Sequence, residues 1–211
     1  MSDKKFQLKD FFESSFMDTA LEIYGLTEKV KYPDLQLVLQ EYKNKLKKTP
    51  KFSRLWNFGQ TYREKIEIDA QNFYVVSWSV TAAKKVIKKH APHLSKFQLD
   101  EIIQLVNPNY INKSHLAVAY NNNSPIFVAA YPQAVNNKLV IIDGNHRVTV
   151  KHQHGLQEIP GYLLEPHQHL QAMVSETQRT LFKIHFNYYQ LAAYIGGVIS
   201  QKELEDTLYP L

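Results

Sequence analysis

The chain holds no cysteine among its 211 residues. That excludes disulfides, thiolate metal sites and a cysteine nucleophile, and it fits a reducing cytoplasm, which is the expected location. Glycine is scarce, at seven residues. None of them builds the G-x-x-x-x-G-K-[ST] phosphate loop, the G-x-G-x-x-G dinucleotide turn or the G-x-S-x-G nucleophile elbow. No apolar run is long enough to span a bilayer. The first ten residues, MSDKKFQLKD, lack an apolar signal core, so no membrane partner is expected. Metal-ligand spacing is missing too. His152 and His154, like His167 and His169, stand two apart and point to different sides of a helix, so no metal is expected.

What is present is a chain that is 44% hydrophobic, with a formal charge of +5. A chain of this size and composition buries a real core, in one domain or one domain with a helical extension. Its mild basicity permits nucleotide or nucleic-acid partners without demanding them. Phe12, Phe16, Ala20 and Ile23 predict a helix from Phe6 to about Gly25, and Leu35, Leu39, Tyr42 and Leu46 predict a second one after Pro33. Together they predict a helical hairpin packed on the rest. A basic run, Lys43 to Arg54, has Phe52 near its end and Trp56 and Phe58 just after it. It reads as a helix end and a loop with inward aromatics, with single-stranded nucleic acid as the other option.

Asn72 to Val80 (NFYVVSWSV) reads as a strand and Thr81 to His90 as a helix with Lys84, Lys85, Lys88 and Lys89 outside. Ser95 to Gln98 has the form of a capping box before the apolar face Leu99, Ile102, Ile103 and Val106. Ser114 is a candidate cap for a short helix to Tyr120. Pro125 to Tyr131 reads as a strand, joined through Pro132 to Asn137 to the next strand, and about four strands are expected in one mixed sheet that includes Phe73 to Val80. Leu181, Ile184, Tyr188, Leu191 and Ile195 form a long helical stripe, and Ser200 to Glu203 is a capping box for a last helix.

The most informative stretch is Leu139 to Leu164. Leu139 to Ile142 is a short β-branched run, ended by Asp143-Gly144. Asn145 can cap a helix from His146 to His154, Gly155 can end it, and Ile159 to Leu164 is a second apolar run. Strand, turn, helix and strand suggest a βαβ crossover, with the turn facing the free amides of a helix start, where a phosphate is favoured. His146 and Arg147 in that first turn oppose the helix dipole, which is odd unless an anion visits. The plain alternative is a structural Asp-Gly turn with solvated side chains.

The wording VIIDGNHRV, followed by KHQHGLQEIPGYL, resembles the ParB/sulfiredoxin-like superfamily, and Ser124 to Val128 (SPIFV) resembles the strand that precedes the motif there. The resemblance covers about residues 98–166. It implies an α+β fold with a small mixed β-sheet of ParB/sulfiredoxin-like type, extended by helices at both ends. The corresponding divisions are an N-terminal helical region over 1–71, an α/β core over 72–166 and a C-terminal helical region over 167–211. Sulfiredoxins place a cysteine where Asn145 stands, so their repair activity is not expected. The paired arginines of the CTP-binding partition proteins are absent. The turn Asp143 to Arg147 is most similar to that of the free serine kinases of the superfamily, which implies a nucleotide-dependent phosphotransferase or hydrolase.

The expected site is therefore Asp143, His146 and Arg147 for chemistry, with Gly144, Asn145, His146 and Arg147 holding a nucleotide or small phosphorylated molecule. Gly144 would admit a phosphate to the backbone, and Arg147 would neutralise developing charge. His146 would donate or act as an acid, and Asp143 would act as a base or hold magnesium through water. The implied cofactor is a nucleoside triphosphate, ATP or CTP, with magnesium. Such a kinase also needs a second acidic group, for which Glu67, Asp69, Asp100 and Glu101 are candidates. The competing expectation is a non-catalytic DNA- or protein-binding module of a partition or mobile-element system, using the lysine-rich helices.

Overall fold

In the computed structural model, which describes residues 5–50, 59–131 and 138–211, the chain begins with a two-residue strand, β1 (Phe6–Gln7). Helix α1 (Phe16–Ile23) starts only ten residues later. The helix expected from Phe6 is therefore shorter than its stripe implied. Phe6 and Gln7 pair with Tyr74 and Phe73, and Asn72 anchors the turn that follows: its Oδ1 accepts from the Lys9 amide at 2.7 Å and its Nδ2 donates to Asp10 at 2.9 Å. Backbone pairing across the sheet overrides local helical periodicity there. Helix α2 (Leu35–Lys48) carries Lys45, Lys47 and Lys48 in its last turn, where cations suit the helix dipole. The remainder of the basic run and its aromatics, residues 51–58, lie outside the described residues, as does the 132–137 turn.

Strands β2 (Thr61–Glu67) and β3 (Phe73–Ser79) form an antiparallel hairpin, and with β1 they make a three-stranded sheet of order β1-β3-β2. The N-terminal region expected to be helical over 1–71 thus contributes two strands, and its boundary falls in the turn of this hairpin. Helix α3 (Val80–His90) follows directly, with the Ser79 hydroxyl accepting from the Ala82 amide. Strand β4 (Leu94–Gln98) occupies the segment that reads as a capping box. It pairs with the later strand β7 from Leu94↔Tyr162 to Gln98↔Glu158, so Ser95 lies in a ladder and Gln98, not Ser95, precedes helix α4 (Leu99–Ile102).

Short 3-10 turns lead from Ile103 to His115 and into α5 (Leu116–Tyr120). Asn112 rather than Ser114 caps the last of these turns, accepting from the Ser114 amide. Strands β5 (Ile126–Tyr131) and β6 (Lys138–Asp143) pair antiparallel. Helix α6 (Asn145–Gln153) then returns the chain to β7 (Glu158–Leu164), which runs parallel to β5. The order of this mixed sheet is β4-β7-β5-β6. It has the expected four strands, but β4 takes the place assigned to Phe73–Val80. The strands flanking α6 are antiparallel to each other with β5 between them, so the expected βαβ crossover is not formed.

The class is α+β, built on these two small sheets. Helices α7 (Pro166–His169), α8 (Glu176–Ile195) and α9 (Gln201–Thr207) complete the chain, and the Ser200–Glu203 capping box is present. Three apolar cores result. One lies between the sheets and takes Tyr74, Val76 and Trp78 from β3, Phe127, Ala129 and Tyr131 from β5, and Leu181 and Phe182 from α8. A second gathers α1, α2 and α9 around Ile184, Tyr188, Leu191 and Ile195 of α8. The third sits on the other face of the mixed sheet, where Val148 of α6 meets Leu99, Ile126, Ile141 and Ile159. Among the described residues, no helix is long and apolar enough to cross a membrane.

Candidate functional site

The sequence from β6 into α6 makes a sharp corner. A bulge in the β5–β6 ladder lets Asp143 oppose Phe127 while Ile141 opposes Val128, which re-aims the strand end. Gly144 then takes φ +106° and caps α6, so Asn145 is the first helical residue rather than the cap. A side chain at position 144 is excluded twice. The angle is closed to other residues, and a Cβ would run into Ile126 of β5 and come within 3.0 Å of Arg147 Nη2. The glycine thus serves close packing of the corner on β5, a different role from admitting a phosphate.

The side chains of the turn are largely engaged with the protein. Arg147 is buried; its Nη2 donates to Asp143 Oδ2 at 2.9 Å, and its Nη1 donates to the carbonyls of Ser124 at 2.6 Å and Pro125 at 3.3 Å. One turn on, Lys151 Nζ donates to Asn123 Oδ1 at 2.7 Å. Helix α6 therefore clamps the polar loop before β5. Asn145 turns its amide inward, donating to the Ile141 carbonyl at 2.9 Å, and its Oδ1 is buried without a partner. What it can offer a ligand is its backbone amide, one of the first-turn donors that have no carbonyl within the helix.

His146 is half-buried, and its Nε2 accepts from the Asn112 amide at 3.0 Å. Its ring lies 5.5 Å from that of His115. Burial, and then the neighbouring His115, hold its pKa below the usual histidine value. With Nε2 occupied as an acceptor, the proton of the neutral ring sits on Nδ1. At neutral pH His146 is thus placed for the first of its two expected roles, that of a hydrogen-bond donor.

This corner opens into a cleft of about 920 Å³. The Asp143–Arg147 turn forms one side. Tyr62 and Arg63 of β2, Lys84 of α3, and Tyr110, His115 and Val118 also line it, with Phe127, Ile142 and Tyr162 as apolar lining. Tyr62 and Tyr110 meet edge to face, with ring centres 6.0 Å apart. The volume falls in the range of small-molecule sites. Asp143 is the only carboxylate among the described residues that line it, and Arg147 already neutralises it. Arg63 and Lys84 bring two basic side chains to the lining.

The acidic partners expected elsewhere do not line the cleft. Glu67 pairs with Lys65 at 2.6 Å, and Asp69 closes the β2–β3 turn by accepting from the Gln71 and Asn72 amides. Asp100 lies 3.2 Å from His152, and Glu101 is exposed on α4. The four downstream histidines also separate. His152 meets Asp100, His154 lies against Tyr120, His167 lies beside His90, and His169 is buried against Trp78.

The cleft's other contributors, Tyr62, Arg63, Lys84 and Tyr110, carry no local motif. Only Lys84 left a trace, as a cation in mid-helix where the dipole gives it no benefit. Comparison of the chain with protein-family models, with curated proteins and with solved structures finds no match.

Proposed function

We propose that the cleft binds a nucleotide or a small phosphorylated molecule, with its phosphate at the Asp143–Arg147 turn, in a domain of ParB/sulfiredoxin-like type. The observation that carries this reading is the meeting, in one cleft of ligand size, of the α6 amide terminus with Arg63, Lys84 and the His146 ring. The amides and the helix dipole favour an anion, and the exposed Lys84 adds to them. Tyr110, half exposed and braced edge to face by Tyr62, supplies a ring on which a base can stack. ATP and CTP are the ligands to try first.

The donor set fits phosphate better than magnesium. Magnesium is usually held by one or two carboxylates together with substrate phosphates, and the one carboxylate lining the cleft is paired with Arg147. Binding is therefore better supported than catalysis. A nucleotide-dependent phosphotransferase or hydrolase remains the reaction class that such a site would serve, with His146 as a donor to the phosphate.

Isothermal titration with ATP, CTP, GTP and inorganic phosphate tests the reading. Binding by at least one of them, weakened about tenfold by Lys84→Ala through loss of one cation–phosphate contact, is the expected result. No heat and no shift in melting temperature with any of the four would remove its basis.

A further inference from the structure

Helix α3 presents Lys84, Lys85, Lys88 and Lys89 to solvent and contains no acidic residue. Among the described residues, none of the four makes an ion pair. Lys88 and Lys89 lie in the last turn, where the dipole favours cations. Lys84 and Lys85 stand too far from that end to share the benefit, since the effect fades within a turn. Four like charges on one short helix repel each other, and the dipole offsets this only for the last two.

The row is continuous with the cleft. Lys84 lines the cleft and is also the first member of the pair Lys84, Lys88, spaced about 6 Å along the axis. Lys85 and Lys89 repeat that spacing beside it. Tyr110, also lining the cleft, is 51% exposed and meets Tyr62 edge to face. The helix start, an exposed ring and Lys84 thus share one cleft, and a repeating line of cations leads out of it along α3. A polymer with regular negative charges and flat bases matches all three. An acidic peptide lacks the repeating rings, and a membrane surface cannot enter a cleft.

We propose that the cleft receives the phosphorylated end of a single-stranded nucleic acid. The next phosphates run along the lysine rows of α3, and the first base stacks on Tyr110. This rests on the phosphate reading of the cleft and gives its ligand a class.

Fluorescence anisotropy on the full chain tests it. The probes are labelled single strands of about ten nucleotides, a length within the usual site sizes. DNA and RNA versions are each prepared with and without a 5′- or 3′-terminal phosphate, and a mononucleotide and a heparin fragment serve as competitors. A terminally phosphorylated strand is expected to bind at least about tenfold more tightly than the mononucleotide, with affinity falling steeply in salt. Lys88→Glu with Lys89→Glu is expected to remove about that gain while leaving mononucleotide binding unchanged, because neither residue lines the cleft. Both positions are exposed, circular dichroism checks the fold, and Lys88→Gln with Lys89→Gln, which avoids placing acids at the helix end, is expected to lower strand affinity in the same direction.

The DNA and RNA arms identify the polymer. Mononucleotide binding with no gain from the strand overturns the polymer proposal and leaves the phosphate reading standing. A strand that binds equally with and without its terminal phosphate, or heparin that competes as well as the strand, overturns it as well. If neither mononucleotide nor strand binds, both readings fall.

Discussion

Arg147 in the first turn of α6 reaches back to Asp143 at the end of β6, its guanidinium closing on the carboxylate at 2.9 Å while also holding the Ser124 carbonyl at 2.6 Å. The residue pair that reads in sequence as catalytic is thus also a structural clamp between β6, α6 and the start of β5. Arg147→Ala leaves a half-buried carboxylate and an unpaired carbonyl. It is expected to lower unfolding stability by about 2–4 kcal/mol, as read from urea denaturation. Arg147→Lys should recover only part of this, since an ammonium cannot reproduce the fork. A ligand-binding defect in either variant has to be judged at matched stability.

Gly144→Ala should be costly for two separable reasons, the φ of +106° and the collision with Ile126. Together they predict a loss of about 2–4 kcal/mol. Pairing the change with Ile126→Ala removes the collision and leaves the angle. In a double-mutant cycle the two changes should therefore cost less than the sum of the single losses. Simple additivity would show that the backbone angle alone matters.

The core between the sheets carries a polar chain. The Tyr74 hydroxyl meets both the Tyr131 hydroxyl and His185 Nδ1, the latter at 2.9 Å. Tyr74→Phe strands two buried groups, whereas Tyr131→Phe leaves Tyr74 still bonded to His185. The first is expected to cost about 2–4 kcal/mol and the second about 1 kcal/mol. Equal losses in thermal unfolding would contradict the role of Tyr74 as the central member.

His169 donates through Nε2 to the Ala130 carbonyl at 2.8 Å and accepts at Nδ1 from the Trp78 indole at 3.3 Å, which requires the neutral ring. Burial lowers its pKa from 6.5 to about 4, and burial does the same for His185. Between those values the unfolded chain holds protons that the folded chain refuses. Stability should therefore be full above about pH 6.5 and fall as the pH drops toward 4. Each histidine contributes up to about 1.4 kcal/mol per pH unit to that slope. Denaturation midpoints across this range should show the slope reduced in His169→Phe. An unchanged slope in that variant would mean that His169 does not carry its share.

The parts of the fold with strong local patterning were legible in the sequence. The aromatic and β-branched run Phe73–Ser79, the order strand, turn, helix and strand over β6, α6 and β7, and the α8 stripe form as their residue patterns indicate, although the crossover expected of the second is not made. β2 escaped notice because TYREKIE buries only Ile66 fully and lies at a sheet edge, so it shows no apolar alternation. β4 was misread because Ser95 and Gln98 have helix-cap spacing, and only pairing with β7, some sixty residues on, decides otherwise. The site divides in the same way. Its turn is contiguous and visible, whereas Arg63, Lys84 and Tyr110 reach the cleft from separate segments that only tertiary packing brings together. The engagement of Arg147 was equally hidden, because its partner carbonyl at Ser124 lies 23 residues upstream.

Helix α8 belongs to two cores at once, with Leu181 and Phe182 facing the sheets and Ile184, Tyr188 and Leu191 facing the N-terminal helices. Such sharing leaves no seam along which the chain can be cut. A fragment beginning near β2 would keep every residue of the cleft yet bare the aromatic flank of α8 where Phe11 and Phe16 now lie. It would also lose β1 from the edge of its first sheet. The helices at the start of the chain, remote from the cleft in sequence, are in this sense the keel that keeps it upright.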